Sequence, residues 1–73
     1  MSFYIDEAVV VAGIPLSELD FPDGSAIALI VRGNRLVPPK GTTALQPGDH
    51  VYVLTQEEDR PLMQLMFGRT EAE

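Results

Sequence analysis

Two segments, Ile27-Ala28-Leu29-Ile30-Val31-Arg32-Gly33-Asn34-Arg35-Leu36-Val37-Pro38 and Leu45-Gln46-Pro47-Gly48-Asp49-His50-Val51-Tyr52-Val53-Leu54, decide how this chain folds. Each holds an apolar, β-forming run next to a turn whose chemistry can be read. In Arg32-Gly33-Asn34-Arg35, both Gly33 and Asn34 tolerate positive φ, which suits the tight turn between twisted antiparallel strands. In Gln46-Pro47-Gly48-Asp49, Pro47 holds φ near the value for the second turn position. Gly48 accepts the positive φ that the third position of a type II turn requires. Three short strands folded back on one another follow, at residues 27–31, 35–37 and 51–54. The turn signals by themselves say nothing direct about chemistry.

Working toward the N-terminus, residues 3–12 read as a first strand. Phe3, Ile5 and the Val9-Val10-Val11 run are β-formers that suit a pleated sheet, and Gly13 ends the run. Asp6, Glu7 and Ala8 interrupt the alternation, and the triple valine suits a strand covered on both faces. Ile14-Pro15-Leu16-Ser17-Glu18-Leu19 predicts one or two helical turns, with Pro15 in the first turn and Leu16 and Leu19 facing the core. Asp20-Phe21-Pro22-Asp23-Gly24 is a loop dense in turn formers.

Toward the C-terminus, Pro38 and Pro39 stop the hairpin strand because neither donates to a ladder. Leu45 turns inward from the connection that follows. Thr55-Gln56-Glu57-Glu58 resembles a capping box, but a helix begun there would place Pro61 too deep, against the Glu57 carbonyl. A start near Glu58 or Asp59 puts Pro61 in the first turn and the acidic run at the positive end of the dipole. Leu62, Met63, Leu65, Met66 and Phe67 then form a broad apolar stripe ended by Gly68. The expected fold is a small α+β domain built as strand, short helix, hairpin, strand and C-terminal helix. Its mostly antiparallel sheet has about four strands. Residues 1–73 form a single unit, with about 3–68 ordered and a frayed polar tail at 69–73.

Composition bounds what such a domain does. At 73 residues the chain is near the small end of what folds alone, and a core of that size gives modest stability. It contains no cysteine and one histidine, so disulfides and thiolate metal sites are excluded and an all-protein transition-metal set is disfavoured. With 45% hydrophobic residues, association is the remaining way to stabilise it. The net charge of −6 disfavours nucleic acid and anionic membrane surfaces. No apolar run approaches the ~20 residues that span a bilayer, and no signal peptide is present, so the chain reads as soluble.

The residue types that carry chemistry are sparse. His50 lacks a partner for a triad or a metal set, and Asp49 is expected to close its own turn by accepting backbone N–H groups. The run Glu57-Glu58-Asp59 reads as a solvated helix start, without EF-hand spacing. No glycine cluster matches a phosphate cradle. No catalytic residue, metal site or cofactor is expected, and the chain does not read as an enzyme. Arg32, Arg35 and Lys40 are three of only five basic residues and gather around one hairpin and its exit loop. That is either a local anion site or arginines that keep a turn soluble.

The order of the motifs resembles a known family. Gly13-Ile14-Pro15-Leu16-Ser17-Glu18-Leu19, then Ala26-Ile27-Ala28-Leu29-Ile30-Val31-Arg32-Gly33, then Pro38 with Thr42 or Thr43, then Leu45-Gln46-Pro47-Gly48-Asp49, resembles the TrkA C-terminal family. These domains form the C-terminal half of regulatory units that control potassium conductance. With Arg32-Gly33-Asn34-Arg35 and Leu65-Met66-Phe67-Gly68, the chain looks most like the domain that follows the transmembrane part of bacterial potassium/proton antiporters linked to cell-volume regulation.

The resemblance implies a dimer-forming, ligand-sensing module on the cytoplasmic face of the inner membrane, attached to the transmembrane portion of a longer chain. It also implies a small anionic effector such as a nucleotide, to be sought at Arg32, Asn34, Arg35, Val37 and Pro38. The alternative is a non-catalytic, ubiquitin-like interaction module of a larger soluble protein. Sulfur-carrier chemistry is absent from that alternative, because the chain ends Glu71-Ala72-Glu73 and not in Gly-Gly.

Overall fold

The computed structural model describes residues 1–68, 70 and 71. Four strands, β1 (Ser2–Tyr4), β2 (Ala26–Arg32), β3 (Arg35–Val37) and β4 (His50–Leu54), form one sheet in the order β1-β4-β2-β3. Every neighbouring pair is antiparallel. One α-helix, α1 (Arg60–Phe67), closes the described fold, and the short helix expected after Gly13 is a 3-10 turn at Leu16–Glu18.

Both turns form where their residues predict. Arg32 pairs with Arg35 across a two-residue loop with Gly33 at φ 62°. The Asp49 N–H donates to the Gln46 carbonyl at 3.0 Å, and Gly48 sits at φ 97°. The hairpin strand ends at Val37, before the two prolines.

The inner face of the sheet supplies most of the core. Phe3, Val51, Ile30 and Val37 stand in one cross-strand row, and the register pairs Ile27 with Val53 in another. Met63 and Phe67 of α1 cover this face, both fully buried, while Phe67 lies 5.2 Å from the Phe3 ring and 6.1 Å from that of Phe21. Ile5, Val11, Leu16 and Leu45 close the layer from the connections. In β2, a register shift between Ile27 and Leu29 makes Ala28 an extra residue. Such a bulge moves the following side chains to the opposite face. Ile27 and Ile30 therefore both point inward, which strict alternation does not allow.

Two expectations are corrected. The first strand does not reach residue 12: it ends at Tyr4, and residues 7–13 turn. Asp6 causes the break, because its Oδ1 accepts the Ala8 N–H at 2.8 Å and its carbonyl accepts that of Val9 at 3.2 Å. Such an Asx-type turn competes with ladder pairing. The triple valine is accordingly split, with Val11 in the core and Val10 exposed. The polar tail is not wholly frayed either. Thr70 bridges Phe3, and the Glu71 N–H donates to the Ser2 carbonyl at 2.8 Å, so this short stretch lines the β1 edge. Arg69, Ala72 and Glu73 lie outside the described residues.

The helix start follows the proline argument. Glu57–Asp59 form a 3-10 turn, Asp59 occupies the N-cap position of α1, and Pro61 falls in the first turn. Thr55 is not the cap; its hydroxyl bonds that of Ser25 at 2.8 Å. Gly68 ends the helix at φ 87°. Among the described residues, no helix is long and apolar enough to cross a membrane.

Candidate functional site

The outer face of the sheet has no covering layer among the described residues. Alternation and register place Tyr4, His50, Val31 and Leu36 in one row across all four strands, with Tyr52 and Leu29 in the next. Leu36 is 70% exposed, and Tyr4, Tyr52 and Leu54 are exposed as well. An isolated exposed leucine is ordinary, whereas several exposed apolar and aromatic side chains on one sheet face form a patch of the kind that marks candidate interaction sites.

Along the hairpin strand at the sheet edge a cleft of about 230 Å³ opens, lined by Arg32, Arg35, Leu36, Val37 and Pro38, with Leu36 reaching it from the outer face. The structure therefore brings together four of the five residues singled out from the sequence. Asn34 sits at the exposed hairpin tip and does not line the cleft. Leu36 was missed. Its signal was available in the alternation Arg35-Leu36-Val37, which sends Leu36 opposite to Val37 and leaves an apolar side chain outside.

Arg32 is held from below. Its Nε donates to Asp49 Oδ1 at 2.9 Å and its Nη2 to Asp49 Oδ2 at 2.9 Å, a bidentate pair, and Nη2 also donates to the Ala44 carbonyl at 3.1 Å. Asp49 is fully buried and accepts a third bond, from the Gln46 N–H at 2.9 Å. It closes its own turn as expected and, in addition, anchors the hairpin arginine. Register explains the meeting: Val31 faces His50, so the next residues in each direction, Arg32 and Asp49, are opposed.

Burial alone pushes the Asp49 carboxyl up. The bonds from Arg32 and the Gln46 N–H outweigh it, with the Arg32 and His50 charges adding, and hold the carboxyl below the usual aspartate range. The hydrogen bond to Asp49 raises the Arg32 guanidinium in turn, against a smaller opposing effect of burial. With the Arg32 charge matched, Arg35 supplies the net positive charge of the cleft; no described carboxylate pairs with it. Lys40 is also exposed, on a loop whose Pro38 carbonyl accepts the Thr43 hydroxyl at 2.8 Å.

His50 is engaged elsewhere. Its Nδ1 lies 3.0 Å from Glu71 Oε2, and its ring meets that of Tyr4 edge-on at 5.3 Å. Among the described residues, no group of three or more His, Asp or Glu side chains is placed to hold a metal ion. The arrangement suits recognition: one exposed guanidinium, a second that is rigidly oriented, and an apolar wall from Leu36, Val37 and Pro38.

Comparison with known proteins agrees with the fold and the motif order. The TrkA-C domain family model matches residues 1–68. The K(+)/H(+) antiporter NhaP2 of Shewanella sp. (strain ANA-3) is 36% identical over 67 residues, which cover 92% of this chain and 12% of that protein. The protein of the same name from Shewanella sp. (strain MR-4) is 40% identical over 57 residues, 78% of this chain and 10% of that protein. The chain thus spans about an eighth of the length of the curated relatives it matches. A solved structure described as "Structure of RCK domain with cda" has a TM-score of 0.71 at 24% identity, covering 90% of this chain and 94% of that one. Family match, relatives and backbone all converge: this chain belongs to the TrkA-C domain family.

Proposed function

We propose that this domain regulates a potassium/proton antiporter from its cytoplasmic face, working as a pair of copies packed through their outer sheet faces and responding to a small anionic effector at the hairpin cleft. The observation that carries this reading is the position of Leu36, which belongs to both the open sheet face and the cleft. The relatives' names support the transport setting, since they are antiporters many times longer than this chain.

Size argues for the pairing. A cleft of about 230 Å³ is smaller than the ~300–1,000 Å³ that ordinarily encloses a small ligand. A second copy laid across Leu36 adds a second wall and turns the half-site into a full one. The sheet supplies the contact: four strands ~4.8 Å apart, three to seven residues long at ~3.4 Å per residue, give a footprint of about 300 Å² before side-chain relief. That is the range in which exposed apolar patches become functional.

The effector class follows from the lining. Arg35 attracts an anion, Arg32 presents a fixed guanidinium, and Leu36, Val37 and Pro38 offer apolar area to a flat ring. A cyclic dinucleotide or an adenine nucleotide has both features. Such a ligand shifts the two copies toward one arrangement only by its differential affinity for the two states, and an attached transporter senses that shift as a change of angle.

Two measurements test this together. Sedimentation reads the pairing, and Leu36→Asp should convert a dimer to a monomer without unfolding it, because the side chain is already exposed. A thermal-shift screen with cyclic dinucleotides, adenine nucleotides and potassium reads the effector; a ligand at 100 times its Kd stabilises by about 2.7 kcal/mol. A monomer at high micromolar concentration overturns the pairing, and no shift from any anion overturns the effector.

A further inference from the structure

A second cleft, of about 510 Å³, opens between α1 and the turning segment that follows β1. Its apolar part is exposed to a degree that the core does not explain. Leu65 is 76% and Val10 75% exposed, and Leu62, one turn before Leu65 on the same helix, is exposed too. Met63 and Phe67 already secure α1 to the sheet, and Leu65, three-quarters exposed, adds little to the packing of the domain itself. Val9 and Tyr4 continue the apolar floor.

The charged groups among the described lining residues are both acidic: Asp6, and Glu71, whose carboxylate also lies 3.0 Å from His50 Nδ1. The whole chain carries −6. A groove with an apolar floor and an acidic rim selects an occupant with the opposite rim: apolar side chains flanked by lysine or arginine. This differs from the hairpin cleft, where arginines line the wall.

We infer that the cleft between α1 and the 6–10 segment docks a basic, leucine-bearing segment from the membrane portion of the parent chain. This rests on the regulatory reading above. Loops on the cytoplasmic side of membrane proteins carry an excess of Lys and Arg, and the relatives place nearly nine-tenths of their length outside the part matched here. The transporter therefore offers the complementary chemistry on the side where the domain is proposed to lie. Docking there transmits to the transporter the change of angle between paired domains, because Tyr4 lines the cleft and also stands in the outer row of the sheet.

The test uses this chain and a fluorescein-labelled peptide of repeated Leu-Lys-Lys-Leu units, read by anisotropy, with a Leu-Glu-Glu-Leu peptide as control. The Leu-Lys peptide should bind and the Leu-Glu peptide should not. Replacing Leu65→Ser together with Val10→Ser should weaken binding about tenfold. Asp6→Asn, which keeps the oxygen that accepts the Ala8 N–H, should weaken it about twofold at low salt and flatten its salt dependence. Circular dichroism should be unchanged in each variant, since the altered side chains are exposed.

Equal binding of both peptides overturns the inference, as does affinity that ignores Leu65 and Val10. Loss of self-association in the Leu65 and Val10 variant would overturn it in favour of a second copy as occupant. Failure here leaves the effector response untouched, because that is read by the thermal-shift screen at the hairpin cleft. Failure of the effector response leaves the peptide affinity untouched.

Discussion

Replacing Asp49 with asparagine removes one charge and almost no volume, and it should cost this domain a large part of its stability. The carboxylate is fully buried and accepts bonds from Arg32 Nε, Arg32 Nη2 and the Gln46 N–H, each at 2.9 Å. An asparagine side chain offers one oxygen and one NH₂, so at least one of these donors faces another donor. Hydrogen bonds to charged groups are worth about 1.5–3 kcal/mol each in mutational series. Arg32 is one-third exposed and recovers part of its hydration, so the net loss is about 2–3 kcal/mol rather than the full cost of breaking a buried pair. A domain of 73 residues holds on the order of 4–11 kcal/mol. At about 4–8 °C per kcal/mol, the melting temperature falls by about 10–20 °C.

Urea denaturation at pH 7 measures the loss directly, and its pH dependence adds a second check. The folded Asp49 pKa is depressed, so the stability it contributes is fully present above the unfolded aspartate value of about 4 and is lost as pH falls through the folded value. The difference between wild type and Asp49→Asn should therefore be constant above about pH 5 and shrink below about pH 4. Replacing both residues, Arg32→Met with Asp49→Leu, should restore much of the loss, as apolar substitutes for buried pairs do. An Asp49→Asn variant within about 0.5 kcal/mol of wild type would refute the view that this pair anchors the hairpin.

Gly48→Ala should cost about 1–2 kcal/mol by urea titration: a Cβ there meets nothing within 4 Å, so the penalty is the φ of 97° alone. Gly33→Asn, at φ 62° with open space around it, should be nearly neutral in the same assay. Phe67→Ala should cost about 3–5 kcal/mol and abolish the near-ultraviolet dichroism of the Phe3–Phe67–Phe21 cluster, because the ring is fully buried. Glu71→Gln should change stability by less than about 1 kcal/mol, since its contact with His50 is partly exposed; hydrogen exchange at the Ser2–Glu71 pairing is the sharper readout.

Local chemistry was readable in the sequence wherever one residue type has one structural use. Gly33, Gly48, the paired prolines and Pro61 each marked a turn, a strand end or a helix start, because backbone sterics act within a few residues. The ordered motifs likewise point to the TrkA-C family from the sequence alone. Four of the five hairpin residues proposed for ligand contact do share one cleft, since a two-residue turn forces its flanks together.

What the sequence left open was settled by partners distant along the chain. The apolar run of β2 has no polar face, so nothing local could say which side is buried; the Ala28 bulge sends Ile27 and Ile30 inward together. The end of β1 at Tyr4 depends on an Asp6 turn that competes with strand pairing and looks, in sequence, like a mere interruption. Asp49 read as a turn residue because its second role needs Arg32, which only the β2–β4 register places opposite. Turns are decided by the torsions of a few residues and so belong to the sequence alone. Which face is covered, which charge is matched and which leucines stay exposed are decided by packing, and only the tertiary structure supplies that.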